Sequence, residues 1–149
     1  MEFRIAAAED VDALTQNRMD FVAEIRPPDD PESFRRVTHA YLKEHLNDGT
    51  LVAYLYVEDG AILSSCMLCI SQVMPMRSAP NGKIGLLINV YTAPSHRRRG
   101  LARSLVGMML DHARELGLTK VELEATEDGY PVYRSLGFTV SERHMERRL

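Results

Sequence analysis

A long apolar run that passes through a short basic turn into a helical pattern constrains the fold of this chain more than any other feature. Residues 83–94, KIGLLINVYTAP, are apolar almost throughout, as in a central, buried strand. The basic turn HRRRGLAR, residues 96–103, comes next. Apolar residues then recur at three- and four-residue spacing through residues 101–116, up to a glycine that can end a helix. We therefore predict a strand, a turn and a long helix in immediate succession.

The rest of the sequence alternates helical and strand patterns without internal repeats. Asp59-Gly60 lies between two β-rich runs and predicts a hairpin of antiparallel strands. The predicted elements, in order, are a strand at 2–5, helices at 11–25 and 34–46, two hairpin strands within 51–73, a strand at 83–94, a helix at 101–116, a strand at 121–126, a short helix at 131–136 and a last strand from 137. The sequence thus predicts one mixed α/β domain over residues 1–149.

The charge balance argues against several classes of partner. The chain has 18 Lys plus Arg against 21 Asp plus Glu, so it offers no broad positive field for nucleic acid or an anionic membrane. Its 45% apolar and 26% charged residues are typical of a folded globular protein. We find no signal-peptide pattern and no uncharged apolar run of about 18 residues, and we expect a cytoplasmic protein.

The cysteines and histidines give no metal-site pattern. Cys66 and Cys69 have C-x-x-C spacing, but no second Cys or His pair completes a tetrahedral site. In a strand, residues three apart point to opposite faces, so we interpret both cysteines as buried free thiols. The histidines lack H-E-x-x-H or comparable spacing. We therefore predict no bound metal.

The basic turn has the chemistry of an anion site. The first N–H groups of a helix lack intrahelical partners, and the helix dipole adds partial positive charge. Gly100 lets a phosphate approach the main chain, and the neighbouring arginines can add forked hydrogen bonds. A pyrophosphate is the ligand suggested, although an isolated RRRG also fits a solvated loop end. Neither G-x-x-x-x-G-K-S/T nor G-x-G-x-x-G is present, which argues against the P-loop and Rossmann classes.

Two stretches resemble the GCN5-related N-acetyltransferase (GNAT) superfamily. Residues 97–102, RRRGLA, match its R/Q-x-x-G-x-G/A pattern, with Pro94 at the usual distance before them. Residues 131–138, PVYRSLGF, resemble its late Y-x-x-x-G-F stretch, and the predicted element order is also that of the family. The resemblance covers most of the chain. It implies a mixed, mostly antiparallel central sheet with helices on both faces, and two strands that splay apart at an acetyl-CoA cleft.

The resemblance implies acetyl-CoA as the acyl donor and assigns binding roles by position. Main-chain groups of Val90, Tyr91 and Thr92 would pair with the pantetheine arm. Amides of the basic turn would wrap the pyrophosphate, namely those of Arg97, Arg98, Arg99, Gly100, Leu101, Ala102 and Arg103. The reaction implied is direct attack of an amine on the thioester, with a main-chain N–H stabilising the oxyanion. No acyl-enzyme is required, so neither Cys66 nor Cys69 is needed as a nucleophile.

Tyr133 and Glu124 are the predicted catalytic residues. Tyr133 lies in the Y-x-x-x-G-F stretch, and a phenol with an unperturbed pKa of about 10 can protonate the departing thiolate; by composition alone, a packed aromatic is the simpler interpretation. Glu124, on the predicted strand, resembles a glutamate that some relatives carry there and is the candidate base; an exposed strand glutamate is the alternative. The sequence departs from the family in two places. The segment from Glu124 to Tyr133 is short, with Thr126 near the family's asparagine, and Asn89 stands where several relatives have a carboxylate, so it could only orient substrate or water.

The acceptor site of the family is usually built by the first two helices and the loop after the third strand, here residues 18–36 and 74–82. Acidic side chains in the first segment, among them Glu24, could attract a cationic amine, but arginines are interleaved with them. The acidic residues are Asp20, Glu24, Asp29, Asp30 and Glu32, and the arginines are Arg18, Arg26, Arg35 and Arg36. Polyamines, aminoglycosides, amino acids and protein amino termini all remain possible acceptors. A homodimer also remains possible, because relatives often dimerise.

The sequence thus predicts an acetyl-CoA-dependent N-acetyltransferase that acts on a primary amine. One alternative is an acyl-CoA-binding sensor or partner module of the same fold with little catalysis, motivated by Asn89 and the uncertain base. Another is RNA binding through Arg97 to Arg99, which would call for a wider basic surface with exposed aromatics than the sequence offers.

Overall fold

The computed structural model describes residues 1–149 as a five-stranded sheet with helices on both faces. The strands are β1 (Glu2–Ile5), β2 (Leu51–Glu58), β3 (Ala61–Gln72), β4 (Lys83–Thr92) and β5 (Lys120–Glu122). The helices are α1 (Val11–Ile25), α2 (Pro31–His45), α3 (Leu101–Glu115) and α4 (Tyr130–Ser135). None of the helices combines the length and the apolar composition that crossing a bilayer requires.

The strands lie in the order in which they occur in the chain, from β1 at one edge to β5 at the other. The pairs from β1 to β4 are antiparallel, and only β4 and β5 run parallel. The parallel pair requires a crossover, which α3 supplies. This architecture confirms the predicted mixed α/β fold with a mostly antiparallel sheet.

Local signals explain where several of these elements begin and end. Asp59 and Gly60 have φ of 51° and 78°, the left-handed conformations that a tight two-residue hairpin needs. Asp30 accepts a hydrogen bond of 3.0 Å from the main-chain N–H of the third residue of α2, and Pro31 has no N–H to leave unpaired. The helix therefore begins before the predicted residue 34. Gly117, at φ 81°, follows the end of α3 as predicted.

The sheet separates two hydrophobic cores. The core on one face includes Leu105 and Met109 of α3 and Tyr133 of α4. The core on the other includes Leu14 of α1 and Leu42 of α2. The two cysteines confirm the predicted alternation, because Cys66 belongs to the first core and Cys69 packs against the second.

Two predicted strands differ from the structure. The strand predicted at 121–126 ends at Glu122, because it pairs only with residues 84–86 of β4. The strand predicted from residue 137 does not form. Five of the eleven residues of the C-terminal tail, residues 139–149, are charged, and Val140, Met145 and Leu149 are all exposed, so the tail has no apolar face packed against the sheet.

Candidate active site

The sheet opens along the second half of β4. Its last residue pair with β5 joins Leu86 to Glu122, whereas β4 itself continues to Thr92. From Leu87 onward β4 therefore has a paired neighbour on the β3 side only. This confirms the predicted parting of two neighbouring strands, which leaves a main-chain edge of β4 free.

A bulge bends β4 within this open segment. Ser65 of β3 pairs with Tyr91 and Met67 with Ile88, so that Asn89 and Val90 together stand opposite Cys66. Asn89 has φ of 53°, a left-handed conformation that asparagine tolerates better than most residues. The extra residue increases the local twist and re-aims the strand, which is the usual effect of a bulge beside a site.

A buried polar network surrounds the bulge. The Asn89 side chain is 3% exposed, and its Nδ2 donates to Asn17 Oδ1 at 2.9 Å and to Ser65 Oγ at 3.0 Å. Ser65 Oγ also donates to Asn17 Oδ1, at 2.6 Å. Arg18 completes the network from α1, with Nη1 3.5 Å from Asn89 Oδ1. The side chain of Asn89 is thus engaged with Ser65 of β3 and with Asn17 and Arg18 of α1.

The basic turn presents a row of free main-chain donors. None of the N–H groups from Arg98 through Arg103 donates a hydrogen bond within the protein, and the first intrahelical bond of α3 runs from Ser104 N to Gly100 O at 3.0 Å. Gly100, at φ 76°, directs the chain into the helix, and no atom lies within 4 Å of the position that a Cβ would occupy there. The turn can therefore receive an anion on its main chain.

Carboxylates hold two arginines of the basic turn. Arg97 forms a forked ion pair with Glu24 of α1, at 2.7 and 2.8 Å, and donates from Nε to Thr92 O at 2.9 Å. Arg99 lies 4.0 Å from Glu58 at the end of β2. The structure thus brings Glu24 to the basic turn, a contact that no feature of the sequence indicates.

Tyr133 of α4 lies in the core beside Cys66 and is 8% exposed. Its ring meets Phe138 edge-on at 5.8 Å, and a Cβ at Gly129 would come within 2.8 Å of it, so only glycine fits there. The Tyr133 hydroxyl has no hydrogen-bond partner in the protein. Its oxygen is not fully enclosed, so the hydroxyl is accessible from the surface. Burial, followed by the nearby Cys66 thiol, raises the pKa of Tyr133 to about 12. The group is therefore a neutral phenol, able to donate a proton.

Cys66 is fully buried, and burial raises the pKa of its thiol to about 12. A thiol in this environment is a poor nucleophile, because the reactive species is the thiolate.

Glu124 lies outside the sheet, two residues beyond the end of β5, and is exposed. The C-terminal tail passes close to it. One carboxylate oxygen of Glu124, one of Glu146 and a ring nitrogen of His144, atoms of the kind that bind metal ions, lie within 4.8 Å of one another, and all three residues are exposed. The parting of β4 and β5 explains why Glu124 is not on a strand as predicted, since β4 offers it no partner.

An open pocket of about 320 Å³ lies on the α1–α2 side of the site. It is bounded by the end of α1, the segment that joins α1 to α2, and the C-terminal tail. Its lining includes Arg18, Val22, Arg26, Asp29, Phe34 and Arg148. The pocket coincides with the first of the two segments that were expected to build the acceptor site, residues 18–36.

Sequence reasoning missed Asn17, Ser65 and Arg148. Asn17 did leave a signal, because it follows Leu14 at helical spacing on the buried face of α1, where a polar residue needs a partner. Ser65 lies inside a β-rich run and gives no comparable signal. Arg148 lies in a tail without regular structure, so its position could not be predicted from local pattern.

The acetyltransferase (GNAT) family model matches residues 19–138 of the chain. The glucosamine 6-phosphate N-acetyltransferase of Trypanosoma brucei brucei is 33% identical over 86 residues, which cover 58% of this chain and 56% of that protein. The match thus spans little more than half the length of this curated relative.

Two solved structures are similar over nearly the whole chain. A GCN5-related N-acetyltransferase from Ralstonia eutropha JMP134 has a TM-score of 0.88 and 26% identity, with 99% of this chain and 97% of the other covered. A protein described as a predicted acetyltransferase from Clostridium acetobutylicum, solved with acetyl-CoA, has a TM-score of 0.90 and 23% identity, with 99% and 95% covered. At that identity, the second likeness concerns the fold alone.

Proposed function

The chain belongs to the acetyltransferase (GNAT) family, and on this basis we propose that it transfers the acetyl group of acetyl-CoA directly to a primary amine of an acceptor molecule. The observation that carries the proposal is the open edge of β4 beside a turn whose main-chain N–H groups from Arg98 through Arg103 are free. An extended, amide-containing arm and a pyrophosphate need these two features, in this order along the chain. The similarity to a protein described as solved with acetyl-CoA adds support.

The residues proposed to bind acetyl-CoA differ in how well their main-chain groups are placed to bind the pyrophosphate or the pantetheine arm. The N–H groups of Arg98 through Arg103 are free to bind a pyrophosphate. Directly after β4, Ala93 N donates to Leu63 O on the β3 side, and successive residues of an extended chain turn their main-chain groups to opposite edges. Thr92 therefore faces the open edge, whereas the Tyr91 carbonyl accepts from Ser64 on the β3 side.

Tyr133 is the proposed general acid. In the reaction, the amine nitrogen bonds to the carbonyl carbon of the thioester and the carbon–sulfur bond breaks. Acetyl-CoA supplies the activated acetyl group, and Tyr133 gives its phenolic proton to the departing sulfur. Its raised pKa keeps the hydroxyl protonated until that step.

Glu124 is the proposed acceptor of the proton that the amine loses, directly or through water. It lies just past the end of β5, where β5 and β4 have parted. We expect Glu124→Gln to lower kcat about 10-fold, less than the roughly 10²- to 10⁴-fold typical of a general base, because water can take over the role of an exposed carboxylate. Glu127→Gln is the matched control, since Glu127 is exposed in the same loop. Equal turnover of both variants and the wild type would remove Glu124 from this role.

Asn89 and Glu24 are proposed to act in substrate binding through the arginines that they hold. Asn89 contacts Arg18, which lines the pocket, and Glu24 holds Arg97. The location of Asn89 in the bulge and of Glu24 on α1, near the basic turn, supports this role.

One observation favours the alternative of a sensor or partner module. The residue at the bulge is a neutral asparagine within a closed network, and Glu124 is exposed, so no buried carboxylate stands ready as a base. Such a module would bind acetyl-CoA, but the rate of CoA thiol release would be very low with every amine.

Thiol release from acetyl-CoA, measured with a panel of amines, tests the proposal. The panel includes polyamines, amino acids, short peptides, aminoglycosides and glucosamine 6-phosphate, the last because a relative is named for it. Acetyl-CoA binding is measured in parallel by calorimetry. Turnover that depends on an amine supports the proposal; tight binding of acetyl-CoA with no turnover across the panel would favour the sensor, and no binding would exclude both.

A further inference from the structure

The pocket beside α1 holds positive charge that no carboxylate of the protein neutralises. Its lining contains three arginines, Arg18, Arg26 and Arg148, and one acidic residue, Asp29. Every salt bridge of the structure joins other residues, so each of the three guanidinium groups lacks a carboxylate partner. We call Arg18, Arg26 and Arg148 the pocket arginines.

The three side chains come from distant parts of the sequence. Arg18 lies on α1, Arg26 directly follows that helix, and Arg148 is in the C-terminal tail. The tail reaches the pocket after passing Glu124, whose carboxylate has side-chain atoms of His144 and Glu146 within 4.8 Å. Arg148 of the tail therefore adds a third positive charge to the pocket lining, beside those of Arg18 and Arg26.

Arg18 is the innermost of the pocket arginines. It is half-buried, with its guanidinium carbon 5.8 Å from the centre of the Phe34 ring, and its one polar contact within the protein is the long one to Asn89. Burial lowers the pKa of Arg18, because the charge has lost water without gaining an anion. A bound anion would offset this cost.

We propose that the acceptor amine carries an anionic group, a phosphate or a carboxylate, which the pocket arginines bind. This inference rests on the proposed acetyl transfer. Guanidinium groups bind both anions through forked, charge-assisted hydrogen bonds. A volume of about 320 Å³ suits a small molecule, near the lower limit for ligand pockets. Polyamines and aminoglycosides, which are polycations, are the acceptors that this pocket would repel.

The position of Arg18 also orients such an acceptor. Arg18 contacts Asn89, and Asn89 begins the bulge in the open segment of β4. An anion held by the pocket arginines therefore lies close to the strand edge at which the thioester is proposed to bind. The amine of the same small molecule would point toward that edge, away from Arg26 and Arg148.

The test compares amines that differ only in the anionic group. Glucosamine 6-phosphate is paired with glucosamine, and glycine with glycinamide, and thiol release from acetyl-CoA gives kcat/KM for each. We expect the anionic member of at least one pair to exceed its partner about 100-fold, as two charge-assisted contacts would allow. The pair that shows the preference distinguishes phosphate from carboxylate. Equal kcat/KM within both pairs would overturn the inference.

Two exposed pocket arginines give the matching variants. Arg26→Gln and Arg148→Gln should each raise KM for the preferred anionic acceptor about 10-fold and leave kcat, and the KM of its neutral partner, unchanged. Arg36→Gln is the control, because Arg36 is an exposed arginine of α2 outside this pocket. An equal loss for both members of a pair would indicate a merely structural role and contradict the proposal.

A binding measurement separates this inference from the proposed function. Glucosamine 6-phosphate or glycine should raise the Tm of the wild type more than its neutral partner does, and this difference should vanish in the Arg26→Gln Arg148→Gln double variant. A chain that shows the difference but releases no thiol with any amine would contradict acetyl transfer and support the anion site. A chain that acetylates neutral amines and shows no such difference would contradict the anion site alone.

Discussion

The two arginine groups of this protein, the basic turn and the pocket arginines, stand in opposite electrostatic situations. In the basic turn, Arg97 has a forked ion pair with Glu24 and Arg99 lies near Glu58. The pocket arginines have no such partner. The turn is conspicuous in the sequence because its arginines are consecutive, whereas the pocket arginines come together only in the fold.

The difference shows that a run of charge in a sequence does not locate free charge in a structure. In the basic turn, the groups without partners are the main-chain N–H groups from Arg98 through Arg103. On the α1 side, the groups without partners are guanidinium side chains. We infer that acetyl-CoA is bound mainly by main-chain N–H groups, whereas the acceptor molecule is bound by charged side chains. Four substitutions test this division, beginning with the reaction that would take place between the two groups.

The largest effect is expected from Tyr133→Phe. If chemistry occurs between the basic turn and the pocket, loss of this hydroxyl should lower kcat about 100-fold or more and leave the KM values of both substrates nearly unchanged. Tyr130→Phe is the matched control, since Tyr130 lies on the same short helix and is 44% exposed. Steady-state kinetics with an active amine measure both. Equal turnover of Tyr133→Phe and the wild type would remove the proposed acid.

The pH profile adds a second readout for Tyr133. Burial disfavours the phenolate, which moves the pKa upward to about 12, so the hydroxyl stays protonated through the neutral and moderately alkaline range. We therefore expect no loss of kcat from Tyr133 ionisation below about pH 11. An alkaline inflection below that pH that disappears in Tyr133→Phe would show that the hydroxyl ionises more easily than its burial implies.

An intermediate effect is expected from Gly100→Val. Valine at φ 76° is strained by about 1–3 kcal/mol, so the turn should shift and KM for acetyl-CoA should rise about 10-fold. Gly107→Ala is the control, because Gly107 lies within α3 with open space around it and alanine favours a helix.

Arg99→Gln, measured alongside, should change KM for acetyl-CoA less than Gly100→Val does, because its charge is exposed and partly paired. A larger change in KM for Arg99→Gln than for Gly100→Val would mean that arginine charge binds acetyl-CoA. The basic turn and the pocket arginines would then bind their ligands in the same way.

The smallest effect is expected from Glu24→Gln. The substitution removes the carboxylate that holds Arg97. The Arg97 guanidinium is then unpaired, like those of the pocket arginines. Since exposed ion pairs contribute about 1 kcal/mol or less, KM for acetyl-CoA should fall no more than about 3-fold. A rise of 10-fold or more in KM for the amine would instead show that Glu24 itself contacts the acceptor.

The sequence predicted the parts of the fold that depend on local pattern. Residues 83–116 give the strand, turn and helix, and Asp59-Gly60 gives the hairpin, because these signals lie within a few residues of the structure that they specify. The end of β5 could not be predicted in the same way. It is set by where the pairing with β4 stops, at Leu86, and the bulge that follows in β4 is held by Asn17 and Ser65, which are distant in the sequence from Asn89.

The candidate site shows the same limit. The turn residues and Tyr133 are contained in two short motifs and were named from them. The Glu24–Arg97 pair spans 73 residues, and Arg18 and Arg148, which line the same pocket, are 130 residues apart in the sequence. Contacts of this kind depend on the packing of whole elements, which local periodicity does not encode.

The separation of the two cores by the sheet also bears on how such a protein can diverge. Tyr133 and the first turn of α3 rest on one core, whereas α1, which carries Arg18 and leads to Arg26, rests on the other. Substitutions in the second core can reshape the proposed acceptor pocket while the first core keeps the basic turn in place. Duplicated copies of such a gene could therefore acquire new acceptors one mutation at a time, each intermediate keeping the proposed use of acetyl-CoA.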